Sequence, residues 1–263
     1  QANPAEDPQL SRTAPAGQLA LRDVTAVALE RKEPILKNVS ARLQPGQVTV
    51  VLGPSGSGKS TMARCMVGTW PYLSGEVLLD ERPLSGWSRD ELGPYIGYLP
   101  QDIELFDGSI ADNIARMGKV DSERVIAAAE AAGLHDMILR FPQGYDTPIG
   151  EGGGLLSGGQ RQRIGLARAI YGQPKLVVLD EPNANLDDVG EAALVRAVQT
   201  LKEQGSAVLV ISHRPGILAV ADRVIVLKEG VVQADGPRDE VMQRLRNASQ
   251  PAAAPPQGSP ALA

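Results

Sequence analysis

The chain has 263 residues, 43% of them hydrophobic, with a formal net charge of −5 at pH 7 and one cysteine. Length and apolar content suffice for one large domain or two small ones, and the acidic balance argues against bulk electrostatic binding to nucleic acid. One cysteine excludes an internal disulfide and a thiolate metal cluster, and every apolar run is shorter than the roughly 20 residues of a membrane-spanning helix.

The two ends of the chain are rich in Pro, Ala and polar residues and lack periodicity. Residues 1–17 have this composition, and so does the segment that begins at Asn247. Such composition is typical of linkers and disordered tails. We therefore expect a flexible linker at 1–17, a folded part at 18–246 and a disordered tail at 247–263.

Between the ends, strand and helix patterns alternate. Short apolar runs predict strands in "QVTVVLG", "GEVLLD", "YIGYLP", "KLVVLDE" and "SAVLVISH". Helical patterns occur in "KSTMARCMVG", "SIADNIARM", "DSERVIAAAEAAGL", "SGGQRQRIGLARAIYG" and from about Asp187 to Gln204. The segment "DRVIVLKEGVVQADG" predicts a hairpin that turns at Glu229 and Gly230. Buried apolar strands with helices between them predict an α/β fold around a largely parallel sheet.

The segment "GPSGSGKS" at residues 53–60 follows a strand pattern and matches the phosphate-loop pattern G-x-x-x-x-G-K-[ST]. Its glycines let the backbone curl so that N–H groups point at phosphate oxygens, and the following helix adds its N-terminal dipole. Lys59 supplies a point charge for the β and γ phosphates, and Ser60 can ligate Mg²⁺. A plain glycine turn before a core helix is the structural alternative. The residues expected to contact nucleotide here are Gly53, Pro54, Ser55, Gly56, Ser57, Gly58, Lys59, Ser60 and Thr61.

Two carboxylates, Asp180 and Glu181, end the apolar run "KLVVLDE". A carboxylate at this strand end can complete the Mg²⁺ shell opposite Ser60, and this is the role expected for Asp180. Glu181 can then polarise an attacking water as general base. An ordinary acidic exit from a strand is the structural alternative.

A second glycine-rich segment, "GEGGGLLSGGQRQR", covers residues 150–163. Ser157 is a good helix N-cap, and Gly158 and Gly159 leave the first N–H groups of the helix exposed, which makes an anion site. The arginines that follow are typical of a solvated helix face. One nucleotide needs only one phosphate loop, so the segment raises the question of whose phosphate it would contact.

These motifs resemble the ATP-binding cassettes of ABC transporters. The stretch "LSGGQRQRIGLARAI" at residues 156–170 matches the family's signature motif, and the resemblance covers about residues 18–246. The other family motifs occur in the family's order: phosphate loop, glutamine loop at Gln101, signature, Walker B at 176–181, D-loop at 185–187 and switch histidine His213. The resemblance implies a P-loop ATPase core with an N-terminal antiparallel β subdomain and a helical subdomain at about 102–172 that carries the signature.

The resemblance also implies roles for these residues, with ATP and Mg²⁺ as cofactors. Two copies of the chain would dimerise head to tail, so that each ATP lies between the phosphate loop of one copy and the signature of the other. The signature residues expected to bind the γ-phosphate in trans are Ser157, Gly158, Gly159 and Gln160. Asp187 would contact the partner's phosphate loop, Gln101 would touch Mg²⁺ or water, and His213 would orient the water and Glu181.

One feature of the family is missing from the N-terminal strand region. Cassettes carry an aromatic residue there that stacks on adenine, whereas "LRDVTAVALERKEPILKNVS" has no Phe, Tyr or Trp, and the matching place falls near Ala28. Aliphatic side chains would have to pack on the base, which leaves the choice between ATP and GTP open.

Several features are similar to those of exporter cassettes. Residues 147–151, which end in Glu151 directly before the signature, resemble the X-loop that meets the coupling loops of exporter membrane helices, and Gly152–Gly154 would give it mobility. "LDEPNANLD", with Asn183 and Asn185, resembles the ATPase part of type I secretion exporters of the protease and lipase kind.

The expected function is therefore an ATPase that drives polypeptide export through a fused or associated transmembrane domain. It would work at the cytoplasmic face of a bacterial inner membrane, with membrane-fusion and outer-membrane channel proteins as further partners. An exporter of lipid or small molecules is the alternative. A soluble cassette acting on DNA or ribosomes is a third possibility, disfavoured by the acidic charge and the single cassette.

Overall fold

The computed structural model describes residues 14–28, 33–150 and 154–249. Its strands are β1 (Leu19–Val27), β2 (Pro34–Leu43), β3 (Val48–Leu52), β4 (Ser74–Leu79), β5 (Arg82–Pro83), β6 (Ile96–Leu99), β7 (Leu176–Asp180), β8 (Ala207–Ile211), β9 (Arg223–Lys228) and β10 (Val231–Pro237). Its α-helices are α1 (Lys59–Met66), α2 (Arg89–Leu92), α3 (Ile110–Ile114), α4 (Ser122–Ala131), α5 (His135–Leu139), α6 (Gly158–Ile170), α7 (Asp188–Glu203), α8 (Pro215–Val220) and α9 (Arg238–Ser249).

The strands form two sheets. An antiparallel sheet has the order β2-β1-β4-β5, and a six-stranded sheet has the order β10-β9-β3-β8-β7-β6. In the second sheet β3, β6, β7, β8 and β9 run parallel, and only the β9–β10 hairpin is antiparallel. This agrees with the α/β fold expected from the sequence, including the largely parallel sheet, the N-terminal antiparallel sheet and the turn at Glu229 and Gly230.

The parallel sheet is buried on both faces, which explains why its strands read as continuous apolar runs. Alternate residues of β7 point to opposite sides: Val177 and Leu179 pack with the helices α4, α6 and α7, and Val178 packs with α1 and the antiparallel sheet. The carboxyl ends of β3, β6, β7 and β8 therefore meet at one edge, where the predicted site residues follow.

Local side-chain chemistry sets several helix starts. Asp121 caps α4 by accepting a hydrogen bond from the Arg124 N–H, and Asp187 caps α7 through the Gly190 N–H. Such oxygens satisfy N–H groups that lack a partner within the helix. The predicted helices at these positions are confirmed.

Three boundaries differ from those expected from the sequence. The helix expected over "SIADNIARM" ends at Ile114, because Arg116 and Met117 both adopt a left-handed backbone with φ +58°. At the C-terminus, α9 continues past Arg246 to Ser249, whose hydroxyl donates to the Leu245 carbonyl.

At the other end, part of the expected linker is attached to the folded part. The amides of Ala16 and Gly17 donate to the Asp80 carboxylate, which holds this end of the segment beside β4. Residues 1–13 and 250–263, the rest of the expected linker and tail, lie outside the described residues. Among the described helices, none has the length and apolar content needed to cross a membrane.

Candidate nucleotide-binding site

The phosphate loop joins the carboxyl end of β3 to the start of α1. Two of its glycines are required by close contacts: a Cβ on Gly53 would lie 2.0 Å from the Leu227 carbonyl oxygen, and a Cβ on Gly58 would lie 2.8 Å from the Leu36 side chain. Both have left-handed φ values, +155° and +100°. Only glycine meets both conditions, so the loop can curl as the motif predicts.

Lys59 folds back over this loop. Its Nζ donates to the carbonyl oxygens of Gly53 and Pro54 at 2.7 and 2.9 Å. The ammonium group is thereby held at the concave side of the loop, where a phosphate chain would find a positive charge. Ser57 adds a buried hydroxyl that has no hydrogen-bond partner among the described residues.

Asp180 ends β7 beside this loop and is almost fully buried. Neither of its carboxylate oxygens has a hydrogen-bond partner among the described residues. Burial raises the pKa of Asp180, and the nearby Ser60 hydroxyl offsets part of this effect without meeting hydrogen-bond geometry. A buried carboxylate without a partner is costly unless a cation compensates it, and Mg²⁺ prefers oxygen ligands. The residues present therefore fit Mg²⁺, which Ser60, Asp180 and Gln101 would hold.

Glu181 and Gln101 follow the adjacent strands β7 and β6. Gln101 Nε2 donates to Glu181 Oε2 across 3.4 Å, a long and therefore weak hydrogen bond. Glu181 has a left-handed backbone with φ +48°, and its N–H donates to the Ile211 carbonyl at 2.9 Å. This fixed backbone directs the carboxylate to the carboxyl edge of the sheet.

One cavity of about 540 Å³ brings most of the predicted residues together. Its lining includes the loop residues Gly53, Ser55, Gly56, Gly58, Lys59, Ser60 and Thr61, together with Gln101, Glu181 and His213. The exposed His213 follows β8, between β7 and β3, so its imidazole reaches the same space. A cationic loop facing a carboxylate and an imidazole is suited to binding a polyphosphate and activating water beside it.

The signature forms a separate feature at the start of α6. Ser157 Oγ accepts from the Gln160 N–H at 3.1 Å, and Gln160 Oε1 accepts from the Ser157 N–H at 2.9 Å, which is a reciprocal capping box. A Cβ on Gly159 would lie 2.8 Å from the Asn185 carbonyl oxygen, so this glycine lets the D-loop approach the helix.

Two side chains of the signature helix bond to the segment between β7 and α7, and one of them, Arg163, was expected on a solvated face. Arg163 is only 18% exposed, and its Nη2 lies 3.1 Å from Asp187 Oδ1. Gln162 is buried and donates to the Pro182 carbonyl at 3.0 Å. The expectation that Arg163 lies on a solvated face was wrong. Its partner Asp187 lies 24 positions away in the chain, and a local sequence pattern does not indicate so distant a partner.

The predicted residues thus fall into two groups. The first group is the phosphate loop with Gln101, Asp180, Glu181 and His213; all of it lines the cavity except Pro54, Ser57 and Asp180. The second group does not line the cavity and consists of Ser157, Gly158, Gly159, Gln160 and Asp187. The first group has the loop and the carboxylates, and the second has a helix start with exposed N–H groups, so each has part of the chemistry that suits a phosphate.

Two further segments bear on the expectations from sequence. Ala28 is half-buried, and the Trp70 indole N–H donates to the carbonyl of the preceding Val27 at 3.1 Å. Trp70 therefore supports the strand end and does not line the phosphate cavity. Thr147, at the start of the expected X-loop, is held by a hydrogen bond to the Gly144 carbonyl, whereas Glu151, Gly152 and Gly153 lie outside the described residues.

Comparison with known proteins gives consistent matches. Residues 36–184 match the family model described as ABC transporter. The chain is 46% identical over 240 residues to the type I secretion system ATP-binding protein PrsD of Rhizobium meliloti, a match that covers 91% of this chain and 41% of that protein. It is 36% identical over 237 residues to the ATP-dependent lipid A-core flippase of Saccharophagus degradans, covering 90% of this chain and 40% of that one.

A solved structure supports the same assignment. The structure of a bacterial Atm1-family ABC exporter with ATP bound superposes with a TM-score of 0.81 at 29% identity, covering 94% of this chain and 45% of that chain. The chain thus spans less than half the length of these relatives. With the phosphate loop, the signature and the fold all in agreement, the chain belongs to the ABC transporter family and is an exporter-type ATP-binding domain, an ATPase.

Proposed function

We propose that two copies of this chain bind two Mg-ATP molecules head to tail and that hydrolysis drives export of a polypeptide through attached transmembrane domains. The observation that carries the paired arrangement is the separation of two incomplete phosphate sites. The cavity holds Lys59 and Glu181, while the free helix start at Ser157 lies outside it. A second copy that supplies its signature to this cavity would complete both sites at once.

Within each completed site, the phosphate loop binds the phosphates through its N–H groups and Lys59. Ser60, Asp180 and Gln101 would hold Mg²⁺, which neutralises charge on the phosphates when bound. Glu181 orients the attacking water and accepts its proton, and His213 faces the same water and the γ-phosphate. Ser157, Gly158, Gly159 and Gln160 of the other copy bind the γ-phosphate, and its Asp187 contacts the phosphate loop.

The substrate class is the finer part of the proposal. A polypeptide is favoured because the relative named for type I secretion is 46% identical, against 36% for the lipid A-core flippase. In this proposal the domain works at the cytoplasmic face of a bacterial inner membrane, with membrane-fusion and outer-membrane channel proteins as partners. Lipid export is the second candidate, favoured by the flippase match.

The paired arrangement is tested by mixing two inactive variants. Lys59→Ala removes the phosphate-loop charge from one copy, and Ser157→Arg blocks the signature of the other. A mixed pair still contains one complete site, made from the loop of the Ser157→Arg copy and the signature of the Lys59→Ala copy. Each mixed pair has one intact site of two, and random pairing makes about half of the pairs mixed, so we expect a 1:1 mixture to regain up to about a quarter of the ATPase activity of the unmodified pair. A mixture as inactive as each variant alone contradicts the proposal.

The polypeptide substrate is tested in cells that express the natural gene product containing this chain. Glu181→Gln is expected to abolish the appearance of a polypeptide in the medium and to leave the lipid composition of the outer leaflet unchanged. The conservative variant Glu181→Asp controls for the amount of the protein in the cell. Loss of a lipid from the outer leaflet, with secretion intact, would instead identify a lipid exporter.

A further inference from the structure

The signature helix and the D-loop of one chain are joined by an ion pair. Arg163, on the second turn of α6, places Nη2 3.1 Å from Asp187 Oδ1, at the start of α7. We propose that Arg163 is a positioning residue: it holds Asp187 in the orientation in which this carboxylate meets the partner's phosphate loop. The inference rests on the proposed function, because only in the paired arrangement does Asp187 have a partner to meet.

The surroundings of Arg163 are built to admit its guanidinium group. A Cβ on Gly190 would lie 2.9 Å from Arg163 Nη2, so a side chain at position 190 would displace the group from Asp187. Gly190 also donates its N–H to the same Oδ1 atom at 2.8 Å. Glycine at this position therefore serves the helix cap and the ion pair together.

The contacts of Asp187 leave its other oxygen available. Both contacts that the structure gives this side chain use Oδ1, and the carboxylate is 71% exposed. Arg163 and the Gly190 N–H thus restrict the rotation of the carboxylate through Oδ1 and leave Oδ2 without a contact in these hydrogen bonds. An exposed carboxylate held by two donors is prepared for a further donor on another molecule.

Other contacts make the two elements one unit. The Gln162 side chain donates to the Pro182 carbonyl, and Gly159 lies against the Asn185 backbone. The signature and the D-loop, which both act on the partner's nucleotide in the proposed pair, are therefore in direct contact where Gly159 meets Asn185. Arg163 is the charged member of this contact, and it reaches the one D-loop side chain that is expected to cross to the other copy.

The experiment places Arg163→Ala in one member of the mixed pair at a time. In the Lys59→Ala copy, it acts on the signature and D-loop that complete the single intact site, and we expect the restored ATPase activity to fall about tenfold. In the Ser157→Arg copy, it acts on the site that is already inactive, and we expect no further change. A structural role alone would lower activity equally from either position.

Two measurements separate positioning from folding or nucleotide binding. In the unmixed chain, Arg163→Ala is expected to lower kcat about tenfold while the affinity of the monomer for ATP stays unchanged, since Arg163 does not line the phosphate cavity. Asp187→Ala should lower kcat by the same factor. The double variant should lower kcat no further than either single variant, because both substitutions remove the same interaction. Arg163→Lys should restore part of the activity.

Arg196→Ala is the matched control, because it removes an equal charge from an exposed position on α7, the helix that follows Asp187. The role of Arg163 would be overturned if Arg163→Ala lowered the ATPase activity of the mixed pair equally in either copy. It would also be overturned if the effects of Arg163→Ala and Asp187→Ala on kcat were additive in the double variant. Failure of the Lys59→Ala and Ser157→Arg mixture itself to regain activity would instead contradict the paired arrangement, so the two failures are distinguishable.

Discussion

Cys65 lies on α1 behind the phosphate loop, and its side chain is fully buried. Burial raises the pKa of its thiol to about 12, because the thiolate would lose its hydration. The reactive form is therefore scarce in the folded chain at pH 8.

We predict that iodoacetamide leaves Cys65 unmodified in the folded chain at pH 8 and modifies it after denaturation in urea, as measured by intact mass. The unfolded chain loses the thiol proton near pH 9 and the folded chain near pH 12, so this group should also lower stability as pH rises through that window. Rapid labelling of the folded chain would show that α1 opens readily.

Residues whose partners are close in the chain were predictable. Ser157 and Asp187 cap helices through N–H groups three positions ahead, and Glu229 with Gly230 forms the expected turn. Arg163 was not predictable, because its partner comes from another element. The same reason applies to Asp80, whose carboxylate holds residues more than 60 positions earlier.

At the scale of elements, one arginine joins the helical region to the core sheet. Arg116 follows α3 in a left-handed conformation and directs its guanidinium group inward. Its five N–H groups donate to the carbonyl oxygens of Gly93, Ile96, Arg168, Ala169 and Tyr171. Three of these acceptors lie at the end of the signature helix α6, and Ile96 begins β6.

We predict that Arg116→Ala lowers the free energy of unfolding by about 3 kcal/mol or more, because it leaves several carbonyl groups without a donor. Arg140→Ala, at an exposed position after α5, is the control and should change stability by less than about 0.5 kcal/mol. Urea denaturation followed by circular dichroism measures both. Equal midpoints for the two variants would contradict this role of Arg116.

Arg116 also illustrates a helix boundary that the sequence does not predict. The pattern "SIADNIARM" favours a continuous helix, and nothing in it indicates that residue 116 turns toward carbonyls from distant segments. The parallel strands were predictable because burial on both faces leaves long apolar runs in β3, β7 and β8. The strands β1 and β2 came from the family resemblance, since their burial pattern is interrupted by irregular pairing.

At the scale of the whole molecule, two groups of residues suited to phosphate lie apart, and in the proposed function neither is a complete site within one chain. The family resemblance predicted both halves residue by residue, and the structure places most of the loop half in one cavity. The two halves are separated because α6 begins outside that cavity. Sequence motifs alone do not show this separation. In the proposed function, the second half acts only when two copies associate.

The proposed association of two copies predicts the mass of the Glu181→Gln variant in the presence of ATP and Mg²⁺. Glu181→Gln keeps the size and the contact with Gln101 but removes the base, so turnover should fall by roughly 10²–10⁴. Because ATP would then remain bound between two copies, the variant should elute with twice the 27.8 kDa mass of one chain when ATP and Mg²⁺ are present. Size-exclusion chromatography with light scattering measures this mass.

The matched control is the double variant Lys59→Ala and Glu181→Gln, which should stay at the mass of one chain because its phosphate loop no longer holds the nucleotide. EDTA should likewise return Glu181→Gln to the single-chain mass, since Asp180 then lacks its cation. Turnover of Glu181→Gln at the unmodified rate would remove Glu181 as base. A single-chain mass despite bound ATP would mean that nucleotide does not join the two copies, and the helix start at Ser157 would need another anion.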